Sequence, residues 1–225
     1  MPGRKDPIAT GGFYHVFNRG IAKGTTFLTD SEYRRALATL AYYCYSERQY
    51  SLSRLFRFDH KKRNEIMDSM TGTSKSIQVI SYCLMPNHFH LLLRQNVDDG
   101  ISNYLSNFQN SYTRFYNTIH RRDGSLFLNQ FKAVEIETEE QLTHVSRYIH
   151  LNPYTASIVR SLDNLGGYPW SSLNTYLEKT DDDFIENEVV MSLFSSLGSY
   201  KEFVFDHADY GRNLKQNEKL WLDFG

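Results

Sequence analysis

The stretch Met85-Pro86-Asn87-His88-Phe89-His90-Leu91-Leu92-Leu93 decides how this chain is read. Its bulky apolar residues read as a β-strand entered from a Pro-Asn turn. Side chains alternate faces along a strand. His88, His90 and Leu92 therefore share one face, while Phe89, Leu91 and Leu93 share the other, a core face. Two neutral imidazoles side by side at a strand's start can hold one divalent metal between them. They can equally be two hydrogen-bonded histidines in a mixed strand, and the triplet alone favours that plainer reading.

Working outward, Ile77 to Leu84 (IQVISYCL) reads as a central strand, joined to Asn87–Arg94 as an antiparallel hairpin. Gly12 to Phe17 (GFYHVF) reads as a first strand that leaves through Asn18-Arg19-Gly20. Thr29-Asp30-Ser31-Glu32 is a capping-box start, opening a helix to about Gln49 with an apolar stripe of Ala36, Leu37, Leu40, Ala41, Cys44 and Tyr45. Residues 51–75 are polar, hold Lys61-Lys62-Arg63 and end in Thr71-Gly72-Thr73-Ser74. They read as an insertion, helical around 60–70, whose charges form a solvated face.

Downstream, a second long helix is expected over about 101–118, with Ile101, Leu105, Phe108, Tyr112 and Phe115 as its stripe. Phe131 to Glu137 (FKAVEIE) reads as a strand. Thr138 caps a third helix running through Leu142, Val145, Tyr148 and Ile149; Pro153 is expected to stop it, with Asn152 at or past its end. Trp170 is expected to begin a short helix. The order predicts an α+β fold: a ferredoxin-like (RRM-like) antiparallel sheet with helices on one face. The expected division is a body over 1–178 and an acidic, helical C-terminal appendage over 179–225.

The net charge of −1 hides an asymmetry: residues 178–225 carry five Lys/Arg and eleven Asp/Glu, leaving residues 1–177 with a net of +5. A mildly basic body is compatible with a polyanion partner. Sixteen Tyr and fifteen Phe build a core first and can also stack on unpaired bases. Two cysteines, Cys44 and Cys83, exclude a disulfide scaffold and a four-cysteine zinc site. With no apolar leader and no spanning stretch, the expectation is a cytoplasmic protein with no membrane partner.

The third helix is the second informative place. Tyr148 and Asn152 are four apart, and so share a helical face, with His144 one turn before. A tyrosine one turn from an amide is a plausible nucleophile beside a ligand. His88, His90 and the amide oxygen of Asn152 would suit Mg²⁺ or Mn²⁺ in an open site. Alone, Tyr148 reads equally well as an amphipathic-helix tyrosine.

Met-Pro-Asn-His-Phe-His-Leu-Leu-Leu resembles the HUH motif (His, bulky hydrophobic, His) of single-strand DNA transposases. Arg147-Tyr148-Ile149-His150-Leu151-Asn152-Pro153 resembles the Tyr-Ile-x-x-Asn-Pro segment of the REP-associated tyrosine transposases within that superfamily. Phe127 to Lys132 and Trp170-Ser171-Ser172 fit the same branch, so the resemblance runs over about residues 12–176 in order.

The resemblance implies a metal-dependent endonuclease and strand transferase that acts on single-stranded DNA near hairpins through a covalent 5′-phosphotyrosine. Carried over by position, Tyr148 is the catalytic nucleophile, and His88, His90 and Asn152 are the metal ligands. Relatives in mobile elements have glutamine four residues after the tyrosine, where this chain has the shorter Asn152. The insertion at 51–75 and the acidic tail lie outside the minimal pattern. The branch implies a monomer and a bacterial protein that meets DNA at the nucleoid. Arg19, Arg114, Arg121, Arg122, Lys132 and Arg147 lie in segments that could meet phosphates.

Two other readings compete. A non-catalytic single-stranded nucleic-acid-binding module on the same sheet would bind through surface aromatics, but Phe13 and Phe17 lack the spaced basic-aromatic signature of that class. A small-molecule metallohydrolase would need more carboxylates than Asp98 and Asp99, which read as helix caps.

Overall fold

A computed structural model describes residues 7–180, 182–206 and 208 of the chain. Strands β1 (Phe13–Arg19), β2 (Ile77–Met85), β3 (His88–Gln95) and β4 (Lys132–Ile136) form one antiparallel sheet in the order β2-β3-β1-β4. That is the expected ferredoxin-like arrangement. The alternation of side chains divides two cores. Tyr14, Val16, Phe89, Leu91 and Leu93 face helices α1 (Asp30–Tyr43) and α4 (Gly100–His120). Leu92, Met85 and Ile136 face helix α5 (Glu139–Thr155) on the other side. The two helices that interleave the strands share one face, as the fold class requires, and α5 adds a third layer.

The capping box at Thr29 and Glu32 starts α1, but the helix ends at Tyr43, short of Gln49. Its last turn is diverted because the Cys44 carbonyl takes the Ser76 N–H (2.8 Å) and Tyr45 bridges to Lys75. The insertion between them folds as α2 (Leu52–Leu55) and α3 (His60–Met70). Leu52, Leu55, Ile66 and Met70 give it a small core of its own against Tyr42 and Tyr45. In α4, Tyr104 and Tyr116 join the buried stripe, while Phe115 is half-buried.

Strand β2 is an edge strand rather than a central one. It reads as central because it is buried on both faces and also along its outer edge. Leu84 donates to the Trp170 carbonyl, Ser172 donates to the Tyr82 carbonyl, and Glu186 donates to the Val79 carbonyl, at 2.8, 3.0 and 2.8 Å. An uncovered edge would present a row of unpaired backbone groups. Here the later chain supplies the partners.

Helix α5 continues through Pro153 to Thr155. In the last turn the missing proline N–H removes a single bond, and the Pro153 carbonyl is taken by the N–H groups of Ile158 and Val159 (both 2.9 Å). Asn152 is therefore inside the helix. Trp170 does not start a helix; its ring stacks on Tyr33 (4.6 Å, 9°), and α6 begins at Leu173 (Leu173–Tyr176). Helices α7 (Glu188–Met191) and α8 (Leu197–Phe205) follow. They bury Val190, Tyr200 and Val204 in the α5-side core. Residues 209–225 of the expected appendage lie outside the described residues. Among the described residues no helix is long and apolar enough to cross a membrane.

Candidate active site

His88 and His90 lie on the α5-facing side of β3, with ring centroids 5.0 Å apart at 89°. His90 is fully buried and His88 half-buried. The neighbouring strand places Phe17 opposite His90 and His15 opposite Leu92. The His15 Nε2 is 3.0 Å from the His90 Nδ1, and the two rings stack at 5.2 Å and 23°. Phe17 packs on His90 at 5.6 Å. From the third layer, α5 brings Tyr148 edge-on to His90 (5.4 Å, 89°) and to His15 (5.7 Å, 74°). Histidines and tyrosine thus meet within one chain.

The hydrogen bonds fix protons as well as rings, with tautomers assigned from the partners. The Asn87 Oδ1, 2.7 Å from the His88 Nδ1, can only accept. His88 therefore donates from Nδ1, which leaves Nε2 as its basic nitrogen. Burial pushes His15 down to about 4, so it is neutral near pH 7. Its bond with His90 then shares one proton between two imidazoles.

Helix α5 is set in rotation by a buried polar cluster. The His150 Nδ1 meets the Tyr200 hydroxyl at 2.7 Å and its Nε2 meets the Ser172 hydroxyl at 2.8 Å. Ser146, one turn earlier, meets Tyr200 at 3.1 Å and Ser81 of β2 at 3.2 Å. Ser81 also meets the Tyr176 hydroxyl, which donates to the Ile80 carbonyl (both 3.0 Å). Burial pushes His150 down to about 3. Asn152 is buried, and its amide nitrogen donates to the Tyr148 carbonyl at 3.1 Å.

The basic residues separate into groups. Arg19 ends β1 directly opposite His88, and Lys132 opposite Phe17 starts β4, so both belong to the end of the sheet that carries the histidines. Arg114, Arg121 and Arg122 lie on or just past α4, on the other side of the sheet. Arg147 turns toward α8: it donates to the Phe203 carbonyl (3.3 Å), meets the His144 Nδ1 (2.7 Å) and stacks over the Phe203 ring (4.4 Å).

Among the described residues, no three His, Cys, Asp or Glu side chains gather in a metal-holding group. A protein-held divalent ion would need a donor other than these four types. The Asn152 amide oxygen is such a donor, and its nitrogen is already committed to the helix backbone. With the His88 Nδ1 engaged by Asn87 and the His90 Nδ1 by His15, ligation would run through the Nε2 atoms. By donor type alone, two imidazoles and one amide oxygen with open positions would suit Mn²⁺ or Mg²⁺.

No sequence motif marks His15, Phe17 or Asn87 as partners of the two histidines. Alternation along Phe13–Arg19 puts His15 on one face with Phe17, so the signal was present once that strand is paired with β3.

Residues 49–152 match the family model described as transposase, IS200 like. No curated protein matches the chain. Among solved structures, a REP-associated tyrosine transposase bound to a REP hairpin is similar over 83% of this chain and 97% of its own, with a TM-score of 0.53 and 15% identity. At that identity the likeness speaks for the fold.

Proposed function

We propose that this chain, whose residues 49–152 match the IS200-like transposase family model, cuts and rejoins single-stranded DNA near hairpins, with Tyr148 as nucleophile. The observation that carries this reading is the placement of the Tyr148 ring 5.4 Å from His90. A phenol ionises near pH ~10 and is a weak nucleophile at neutral pH. A divalent ion, Mg²⁺ or Mn²⁺, held by His88, His90 and Asn152 would supply the positive charge that polarises the scissile phosphate.

The chain's own residues do the rest. Tyr148 attacks phosphorus, the bond to the 3′ oxygen breaks, and a 5′-phosphotyrosine forms. The phenol loses one proton and the departing 3′ oxygen gains one, so the exchange is balanced. The ester bond is conserved, which lets the same site rejoin strands. In this reading His15 accepts from the His90 Nδ1, which leaves the Nε2 lone pair as the one that would hold a metal. The residue that orients a ligand imidazole is thus itself a histidine, kept neutral by burial.

Arg19 and Lys132 take phosphates beside the scissile bond, and Arg114, Arg121 and Arg122 take more distant ones. Arg147 joins α8 to α5 and is left out of that set. With tyrosine and histidines meeting within one chain, a monomer suffices. A stacking module is disfavoured because Phe17 is buried, at 7% exposure, under the same layer that brings Tyr148.

The test is a labelled hairpin oligonucleotide with a single-stranded tail, incubated with protein and Mn²⁺ and run on a denaturing gel. The native chain should form an adduct that survives denaturation. Tyr148→Phe should lose it while retaining DNA binding, and chelation should abolish it. Cleavage by Tyr148→Phe at the native rate would end the assignment.

A further inference from the structure

The insertion between α1 and β2 turns arginines toward α4, and we propose that the cleft between them seats the sugar-phosphate backbone of a double-stranded DNA stem. This rests on the reading that DNA is the partner, but on a different surface from the Tyr148 site.

The insertion is a fixed wall. Its small core packs on Tyr42, whose hydroxyl donates to the Tyr50 carbonyl at 2.6 Å. Arg35 of α1 braces it from below, donating to the Ser53 hydroxyl (3.3 Å) and lying over the rings of Phe56 (4.5 Å) and Phe115 (5.3 Å). Exposed Arg54 and Arg57 stand on this wall, and Asn107, Asn110 and Arg114 of α4 stand opposite, enclosing about 910 Å³. Asn110 and Arg114 also border a second recess of about 640 Å³, which runs on along α4 to Arg121 and Arg122.

Among the described residues none of these five arginines forms an ion pair with a carboxylate. The acidic residue that lines either recess is Asp123. Local roles explain part of the set. Arg121 and Arg122 meet the negative end of α4, and Arg122 donates to the Ser125 carbonyl (2.8 Å). Arg54 lies over Tyr50 (5.0 Å). Arg57 and Arg114 have no such explanation. Like charges held along one cleft repel one another until a polyanion enters.

The chemistry of the lining favours phosphates of a duplex over bases of a single strand. Guanidiniums, hydroxyls and amides are the groups that contact phosphate and sugar. Single-strand grooves instead offer aromatic faces. The two aromatics at this cleft are engaged elsewhere: Tyr43 edge-on to Tyr42 (5.3 Å) and Phe58 to Tyr50 (5.1 Å). From Asn107 to Arg121 the helix runs about 21 Å at ~1.5 Å per residue. That matches about six phosphates of one strand at ~3.4 Å each.

The cleft also leads to the Tyr148 side. The loop after α4 is tied to the end of β1, with Leu128 donating to the Arg19 carbonyl and Ile21 to the Leu126 carbonyl (both 3.0 Å). Arg19 pairs with His88 in the sheet. A stem lying along α4 therefore delivers its single-stranded end around this rim to the histidines.

The experiment compares the native chain with an Arg54→Ala/Arg57→Ala variant on two probes, a tailed hairpin and a stemless strand of equal length. Fluorescence anisotropy is read across a salt series. Expected are a loss of about 10-fold or more on the hairpin, a log–log salt slope shallower by about two, and a change below about 2-fold on the stemless strand. An unchanged hairpin affinity and slope would overturn the proposal. So would equal losses on both probes, or a native chain that does not prefer the hairpin. Adduct formation by the native chain, read on the same samples, reports the Tyr148 chemistry separately. Its absence alongside a hairpin-specific loss leaves the cleft standing and removes the catalytic reading.

Discussion

At the scale of single residues, the site depends on a neighbour that no motif names. His15 is 2% exposed and hydrogen-bonded to His90, so it holds the plane of that ring and engages its Nδ1. Outer partners of ligand imidazoles commonly carry about 10–100-fold in metal affinity. His15→Phe keeps the aromatic bulk beside Phe17 and Tyr148 but cannot accept a hydrogen bond. It should weaken Mn²⁺ binding by that factor, measured by electron paramagnetic resonance of free Mn²⁺, with DNA binding in chelator unchanged. Retention of native Mn²⁺ affinity would reduce His15 to packing. The contrast with His88, His90 and Tyr148 shows what was legible. Their faces follow from local periods of two and 3.6 residues, which a sequence displays. The partnership of His15 with His90 follows from pairing two strands far apart in the chain, which no local pattern within Gly12–Phe17 reveals.

At the scale of elements, α5 carries the tyrosine, and its rotation is held by His150 and Ser146 against Tyr200, Ser172 and Ser81. Burial lowers His150 to about 3 and so holds it neutral in this cluster. The folded chain therefore refuses a proton that the unfolded chain accepts below pH ~6.5. Stability should fall as pH drops from ~6.5 toward ~3, by up to about 1.4 kcal/mol per pH unit for this one group. Between pH 7 and 5 His150 should account for a loss of about 2 kcal/mol, and His15, lowered to about 4, adds a loss of the same sign and similar size. The sum is read as a lower urea midpoint at unchanged slope, and the His150 share as the part that persists in His15→Phe. A midpoint constant over that range would mean that both histidines take their protons in the folded state. The elements themselves were largely legible, because α4 and β3 have strong periodic patterns. The end of α1 and the edge position of β2 were not. Both are decided by contacts with later chain, Ser76 in one case and Trp170, Ser172 and Glu186 in the other.

At the scale of the whole molecule, the C-terminal segment completes the core on both faces of the sheet, Phe184 on the side of α1 and α4 and Tyr200 and Val204 on the side of α5. Phe184 stacks on Tyr82 of β2 (5.8 Å), Glu186 continues the hydrogen bonding of its edge, and Tyr200 and Val204 close the core on α5. The sequence suggests a boundary near residue 178, since charge changes sign there, but charge reports the solvated face and is silent about the buried one. Fully burying such large apolar side chains contributes roughly 1.5–3 kcal/mol each, and marginal domains hold only about 5–15 kcal/mol in total. A chain ending at Leu177 would lose several of these terms at once, lose the Tyr200 hydroxyl from the His150 cluster and bare one end of β2. Exposed apolar edges pair with other chains, so this truncation should aggregate or elute as large species in gel filtration. A truncated chain that elutes as a monomer and melts at the native temperature would show instead that residues 1–177 fold alone and that the acidic segment is an addition to a finished domain.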